Sequence, residues 1–239
     1  IYAGAGNDTI HASTGTNDIF GEAGDDTMFA GAGADHFSGG DGYDIVSYAS
    51  STQKVEMNLN NPQSNNFWAA GDTVDDTVER IDGTGFDDVI YDNGISRTLY
   101  GWGGNDIIGG GGGNDTIHGN DGNDTLYGDG GNDVLYAGAG SNTLNGGDGD
   151  DTLWGEGGAD SFVGGAGTDT ATFWNSPSSV TVDLLTPTNN TGYAVGDTFD
   201  GGVERIDGSN VSGTGDFIRD NSIARTLHGW AGNHTISGD

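Results

Sequence analysis

Nine residues separate one aspartate from the next through much of this chain, and the glycines keep the same register. Gly110-Gly111-Gly112-Gly113-Asn114-Asp115-Thr116-Ile117-His118 runs directly into Gly119-Asn120-Asp121-Gly122-Asn123-Asp124-Thr125-Leu126-Tyr127, and then into Gly128-Asp129-Gly130-Gly131-Asn132-Asp133-Val134-Leu135-Tyr136. The pattern is G-G-x-G-x-D-x-U-x, with U a large apolar residue. Self-similarity at a fixed period decides the architecture before any local propensity does. An acidic, glycine-rich disordered linker would not place Ile, Leu or Phe two residues after each aspartate.

Composition alone points the other way. Lys plus Arg number 6 against 37 Asp plus Glu, for a formal net charge of -31; 32% of residues are hydrophobic, and 48 of 239 are Gly. Such a chain does not easily offset the entropy of ordering itself, and glycine adds to that cost. The strict period requires order nonetheless, provided something neutralises the carboxylates. A divalent cation suits a chain with hard oxygen ligands in excess. With no cysteine, disulfides and thiolate metal sites are excluded, and a bound divalent cation can serve as the staple instead. No apolar run reaches membrane-spanning length, so no transmembrane segment is expected. No signal peptide is visible; the chain starts and stops inside repeats, at Ile1 and Asp239, and reads as a piece of something longer. The acidic balance argues against nucleic acid as a partner.

The repeats fall into arrays. Residues 1–47 form a first array with Asp8, Asp26, Asp35 and Asp44 in the aspartate slot and Asn17 in one degenerate unit. Residues 83–172 form a second, with Asp88, Asp106, Asp115, Asp124, Asp133, Asp151, Asp160 and Asp169, interrupted at Arg97 and Asn142. A third, degenerate array starts near Val211 and occupies 211–239, with Asp216, Arg225 and His234 in the slot. The segments between them, 48–82 and 173–210, are related to each other. Val55, Met57 and Leu59 correspond to Val180, Val182 and Leu184, and Val78-Glu79-Arg80-Ile81-Asp82-Gly83 corresponds to Val203-Glu204-Arg205-Ile206-Asp207-Gly208. A unit of roughly 125 residues therefore appears nearly twice. Alternation at period two predicts strands in these spacers, continuing or capping the arrays rather than forming separate domains.

The nonapeptide resembles the calcium-binding repeat of RTX (repeats-in-toxin, hemolysin-type) proteins. The resemblance implies an all-β fold, a right-handed parallel β-roll or β-solenoid with β-rich spacers. In it the first six residues of each unit form a turn and the last three a short strand. Two nonapeptides make one coil of about 18 residues, so turns that far apart stack. Calcium in the family sits between stacked turns, held by two aspartates and turn carbonyls. Carried over, the intact pairs are Asp8/Asp26, Asp26/Asp44, Asp88/Asp106, Asp106/Asp124, Asp115/Asp133, Asp133/Asp151 and Asp151/Asp169. Asn142 should weaken the positions beside Asp124 and Asp160. Multiple ions, roughly ten per chain, are expected. Ile108, Ile117, Leu126, Leu135, Leu144, Leu153 and Phe162 should form a core too thin to fold the array against carboxylate repulsion, so binding energy should become folding energy.

Arg97 and Arg225 leave two readings: a guanidinium replacing an ion and pairing one coil away with a carboxylate such as Asp115, or a degenerate, solvent-facing turn. Position nine is often aromatic. Tyr100, His118, Tyr136 and Trp154 stack on one face, with Tyr91 and Tyr127 in the other row around Gly109. Such a row can contact glycans or a partner, or stabilise neighbouring strands. Nothing points to an enzyme. There is no His-Glu-x-x-His and no G-x-S-x-G, and His11, His36, His118, His228 and His234 sit in repeat positions. The reading is a calcium-binding structural module of a large secreted or cell-surface bacterial protein (adhesin, surface-layer or filament scaffold), exported by type I secretion and folding outside the cell. The alternative is the non-catalytic module of a secreted protease, lipase or polysaccharide-modifying enzyme. Open solenoid ends invite self-association.

Overall fold

The structure, a computed structural model, describes residues 1–212, 215–220, 225–230 and 233–237. The expected third array is thus described only in part; its positions 213, 214, 221–224, 231, 232, 238 and 239 lie outside the described residues. The chain is a β-solenoid of about 13 turns built from parallel sheets. Among the described residues, one eleven-stranded sheet runs from Thr9–His11 to Thr226–His228, and alternate strands form sheets of four, eight and three strands. No helix among the described residues is long and apolar enough to cross a membrane.

Register follows the repeat. Ile90, Ile108, Leu126, Leu144 and Phe162 pair in sequence in the eight-stranded sheet, and Leu99, Ile117, Leu135 and Leu153 do so in the eleven-stranded one. All are fully buried. Each coil thus contributes one large apolar residue per face, and its strand neighbours point outward because strand side chains alternate.

Strands are longer than three residues in many units. Thr98–Gly103, Thr116–Asp121 and Thr125–Gly130 continue into the next unit's first glycines. Backbone pairing persists there: Trp102 and Gly103 pair with Asn120 and Asp121 on the next coil. The six-residue turn expected from the repeat is therefore shorter in these units. Trp102, Asn120 and Asp129, all non-glycine, adopt positive φ of 70–74° to make the bend.

The spacers are inserted within the same sheets. Val55–Asn58 pairs in parallel with Val89–Tyr91 in the eight-stranded sheet and carries the antiparallel edge strand Asn66–Phe67 on its other side. Thr73–Val74, later in the chain, instead pairs with the earlier His36–Asp41 and closes the four-stranded sheet. The chain lays down the next coil's face before finishing the previous one. The eleven-stranded sheet passes through without a break, because Ile45–Ser47 pairs with Arg80–Asp82, which pairs with Thr98–Gly103.

Candidate metal sites

From Asp26 onward each slot aspartate is held by the coil before it. The backbone N–H of Asp8 donates to Asp26 Oδ1 at 2.7 Å, Asp26 to Asp44 at 2.8 Å, Asp88 to Asp106 at 2.7 Å and Asp106 to Asp124 at 2.8 Å. Asp115 donates to Asp133 at 2.7 Å, Asp133 to Asp151 at 2.8 Å and Asp151 to Asp169 at 2.9 Å. These share a row with Asp8, Asp26 and Asp44, before strands of the eleven-stranded sheet, whereas Asp88, Asp106 and Asp124 precede strands of the eight-stranded one. Stacking thus consumes one oxygen of each carboxylate and leaves the other.

The second oxygen is the informative one. Oδ2 of Asp8, Asp26, Asp35, Asp44, Asp106, Asp115, Asp124, Asp133, Asp151, Asp160 and Asp169 is buried and has no hydrogen-bond partner. Buried polar atoms are ordinarily satisfied, so a repeated orphan calls for a missing partner. Asp88 is the exception, because Thr84 donates to its Oδ2 from both the backbone, at 2.6 Å, and the hydroxyl.

The surroundings of Oδ2 suit a cation. Five residues before the aspartate a glycine stands in most units, as in Gly101/Asp106, Gly110/Asp115, Gly119/Asp124 and Gly128/Asp133, whereas Asp8 and Asp35 have Ala3 and Ala30 there. A Cβ on any of these four glycines would collide with the aspartate Oδ2 and approach the backbone carbonyl of the next coil's residue: Gly119, Gly128, Ala137 and Gly146 in turn. Two hard oxygens from different coils therefore converge where only glycine leaves room, which fits calcium chemistry. No group of three or more His, Cys, Asp or Glu gathers at one point among the described residues; carboxylates come in ladders, and backbone carbonyls supply the other oxygens.

Burial without a counter-charge raises the carboxyl pKa values. Burial, and then the Asp88 and Asp124 carboxylates, lift Asp106 to about 8. Burial lifts Asp115 to about 7, and Asp151, Asp160 and Asp169 to about 6.

Where the slot is asparagine, the ladder continues. Asn142 Oδ1 accepts the Asp124 N–H at 2.8 Å, and the Asn142 N–H donates to Asp160. The residue five before is then alanine, Ala137, as Ala12 is for Asn17. The Asp160 position differs too, since a Cβ on Gly155 would meet the Phe162 and Phe173 rings instead of a carboxylate.

Arg97 removes one of the two expectations held for it and changes the partner in the other; besides the Asp92 pair described next, Nη2 lies 4.0 Å from Asp76 Oδ1 on the preceding coil. Its side chain is fully buried, which removes the solvent-facing turn. Its guanidinium pairs with Asp92, five residues back on its own turn, and not with Asp115. Nη1 also donates to Asn93 Oδ1 at 2.9 Å, Nε to the Val78 carbonyl and Nη2 to the Asp75 carbonyl, each at 2.8 Å. Asp115 accepts only the Arg97 backbone N–H, at 2.7 Å. The glycine–aspartate pair of an ordinary unit is here an aspartate–arginine pair. The second copy repeats the exchange, with Arg225 Nη1 on Asp220 Oδ1 at 3.1 Å and Nε on the Val203 carbonyl.

Four ladder members escaped the sequence reading. Asp72 and Asp197 accept the N–H groups of Asp35 and Asp160 at 2.7 Å; Glu79 and Glu204 accept those of Asp44 and Asp169. An acid followed two residues later by a large apolar residue (Asp72/Val74, Asp197/Phe199, Glu79/Ile81, Glu204/Ile206) was the available signal. The 18-residue spacing hid it, because the spacers stretch the interval to 35–37 residues. In the third array His234 takes the slot, accepting the Asp216 N–H through Nδ1 at 3.1 Å.

A profile of the RTX calcium-binding nonapeptide repeat, in four copies, matches residues 1–19, 11–46, 98–117, 109–144 and 136–171. These spans cover half of the chain. No curated protein gives a significant match. The orphaned ladder carboxylates fall in the matched spans and in their continuation through the spacers. The chain belongs to the RTX calcium-binding nonapeptide-repeat family.

Proposed function

We propose that this chain is a calcium-folded, non-catalytic structural module of a secreted or cell-surface bacterial protein, of the adhesin, surface-layer or filament type. The observation that carries the reading is the ladder of buried, partnerless Oδ2 atoms beside glycine-lined carbonyls. Calcium, when bound, supplies the positive charge and the oxygen coordination that these atoms lack.

The pairs Asp8/Asp26, Asp26/Asp44, Asp106/Asp124, Asp115/Asp133, Asp133/Asp151 and Asp151/Asp169 would hold it. Asp88 joins Asp106 with its Oδ2 already engaged by Thr84. With weaker positions at Asp35 and Asp160, the chain holds about ten ions. Without them, stacked carboxylates repel across every coil, and one apolar residue per face does not compensate. The chain thus stays unfolded at low cytosolic calcium, passes a type I secretion channel as an extended polymer, and folds outside. The duplicated unit adds length along one axis, as a scaffold requires.

The test is circular dichroism during calcium titration of the chelator-treated chain, with magnesium as control. Cooperative gain of β signal with calcium alone is expected. A chain already folded in chelator at about pH 8, where the slot carboxyls are largely ionised, would overturn folding on export.

A further inference from the structure

The outward rings of the eleven-stranded sheet do not form an open platform. Tyr100, His118, Tyr136 and Trp154 stack on one another with centroids 4.3, 4.5 and 5.4 Å apart. Each inner ring has both faces covered, and Arg80 covers Tyr100 at 4.1 Å. The row ends at Trp154. The next residue in register is Thr172, too small to cover an indole. There a cavity of about 230 Å³ opens, lined by Trp154, Trp174, Thr170, Thr172, Arg205 and Asp207.

Its polar side is organised. Arg205 makes two bonds to Asp207, Nε to Oδ1 at 2.7 Å and Nη2 to Oδ2 at 2.8 Å. Nη1 is left with no partner among the described residues. Asp207 is 6% exposed and also lies 3.3 Å from His228 Nδ1. Trp174 is held edge-on by Trp230, with centroids 4.7 Å apart at 80°.

We propose that this cavity binds one neutral pyranose ring, free or at the end of a glycan. The C–H face of a sugar stacks on an indole, and its neighbouring hydroxyls need a donor and an acceptor side by side, which a joined guanidinium and carboxylate present. The cavity is smaller than the ~300–1,000 Å³ of sites for drug-sized ligands, which limits it to about one ring. Charge selects against acidic sugars, since Asp207 already neutralises Arg205 and the whole chain carries -31.

The duplication supplies an internal comparison. Phe29, Ser47, Arg80 and Asp82 repeat the frame 125 residues earlier, with the same ion pair at 2.6 Å, but Ala49 stands in the place of Trp174. The tryptophan wall belongs to the second copy alone, and the fold accepts alanine there.

The experiment is saturation-transfer NMR on the calcium-loaded full chain. Maltose, cellobiose, lactose and mannobiose serve as neutral probes at about 10 mM, and glucuronate as the acidic one. At least one neutral probe should show transfer. Trp174→Ala should weaken it at least about 10-fold, and so should Thr172→Tyr, which extends the ring row into the cavity. Trp102→Ala, an exposed indole elsewhere, should leave it unchanged; circular dichroism checks that each variant folds. The proposal is overturned if no neutral probe shows transfer, if binding survives either cavity variant, if Trp102→Ala abolishes it, or if glucuronate binds as well.

Discussion

The Tyr48 hydroxyl donates a 2.8 Å hydrogen bond to Asp72 Oδ2, which completes that carboxylate. In the second copy Phe173 stands in the place of Tyr48, and Asp197 Oδ2 is buried without a partner. Burial, reinforced by Asp160, raises Asp197 to about 8. One hydroxyl thus separates two otherwise matching positions. Tyr48→Phe should cost about 1–3 kcal/mol, the penalty for orphaning a buried acceptor. Phe173→Tyr should stabilise by about 1 kcal/mol. Urea unfolding at saturating calcium measures both, and an unchanged midpoint for Tyr48→Phe would contradict the bond.

The buried Arg97–Asp92 pair acts as a tethered cation in one turn of the unit. Arg97→Met leaves a buried carboxylate uncompensated and should destabilise by about 3–5 kcal/mol. The double substitution Asp92→Gly with Arg97→Asp rebuilds an ordinary repeat. It should recover stability only with calcium, and raise the ion count seen by native mass spectrometry. A double variant with an unchanged ion count would show that the turn geometry, and not the residue pair, excludes the ion.

Space requires glycine five residues before Asp106, and the requirement is local, since Asp8 and Asp35 have Ala3 and Ala30 at that position. Gly101→Ala places a methyl group against Asp106 Oδ2, whereas Gly85→Ala meets nothing within 4 Å. The first should raise the calcium midpoint for folding about 10-fold or more, and the second should shift it little. Equal shifts would point to backbone entropy instead of a filled ion cradle.

Acid should replace calcium in part. Asp106 and Asp197 reach about 8, Asp115 about 7, and Asp151, Asp160 and Asp169 about 6, each raised first by burial. The unfolded chain releases these protons near pH ~3.9. Between there and about 8 the ion-free fold binds more protons than the unfolded chain, so its stability falls as pH rises. In chelator, β signal should be greatest near pH 4 and be lost toward pH 8. Protons and calcium should also compete, moving the calcium midpoint upward as pH falls. A β signal independent of pH in chelator would contradict both.

The sequence by itself determined the coil, its inward residues and the slot aspartates. Each is a local property repeated at a constant interval: Leu126 and Leu144 must pair if nine-residue units stack, and Asp106 must lie over Asp124. It also located the duplicated spacers and their strands. What only the tertiary structure decided lies where the interval changes or where two oxygens of one group part ways. Asp72 and Glu79 join the ladders across 37 and 35 residues, a distance set by how the spacer folds back. Arg97 turns to Asp92 on its own turn and toward Asp76 on the preceding coil, away from Asp115 on the next one. Asp88 and Asp106 read alike as letters, but Thr84 satisfies the second oxygen of one and nothing in the chain satisfies that of the other. Pattern specifies which residues stack; only packing decides which of their polar atoms are left for an ion.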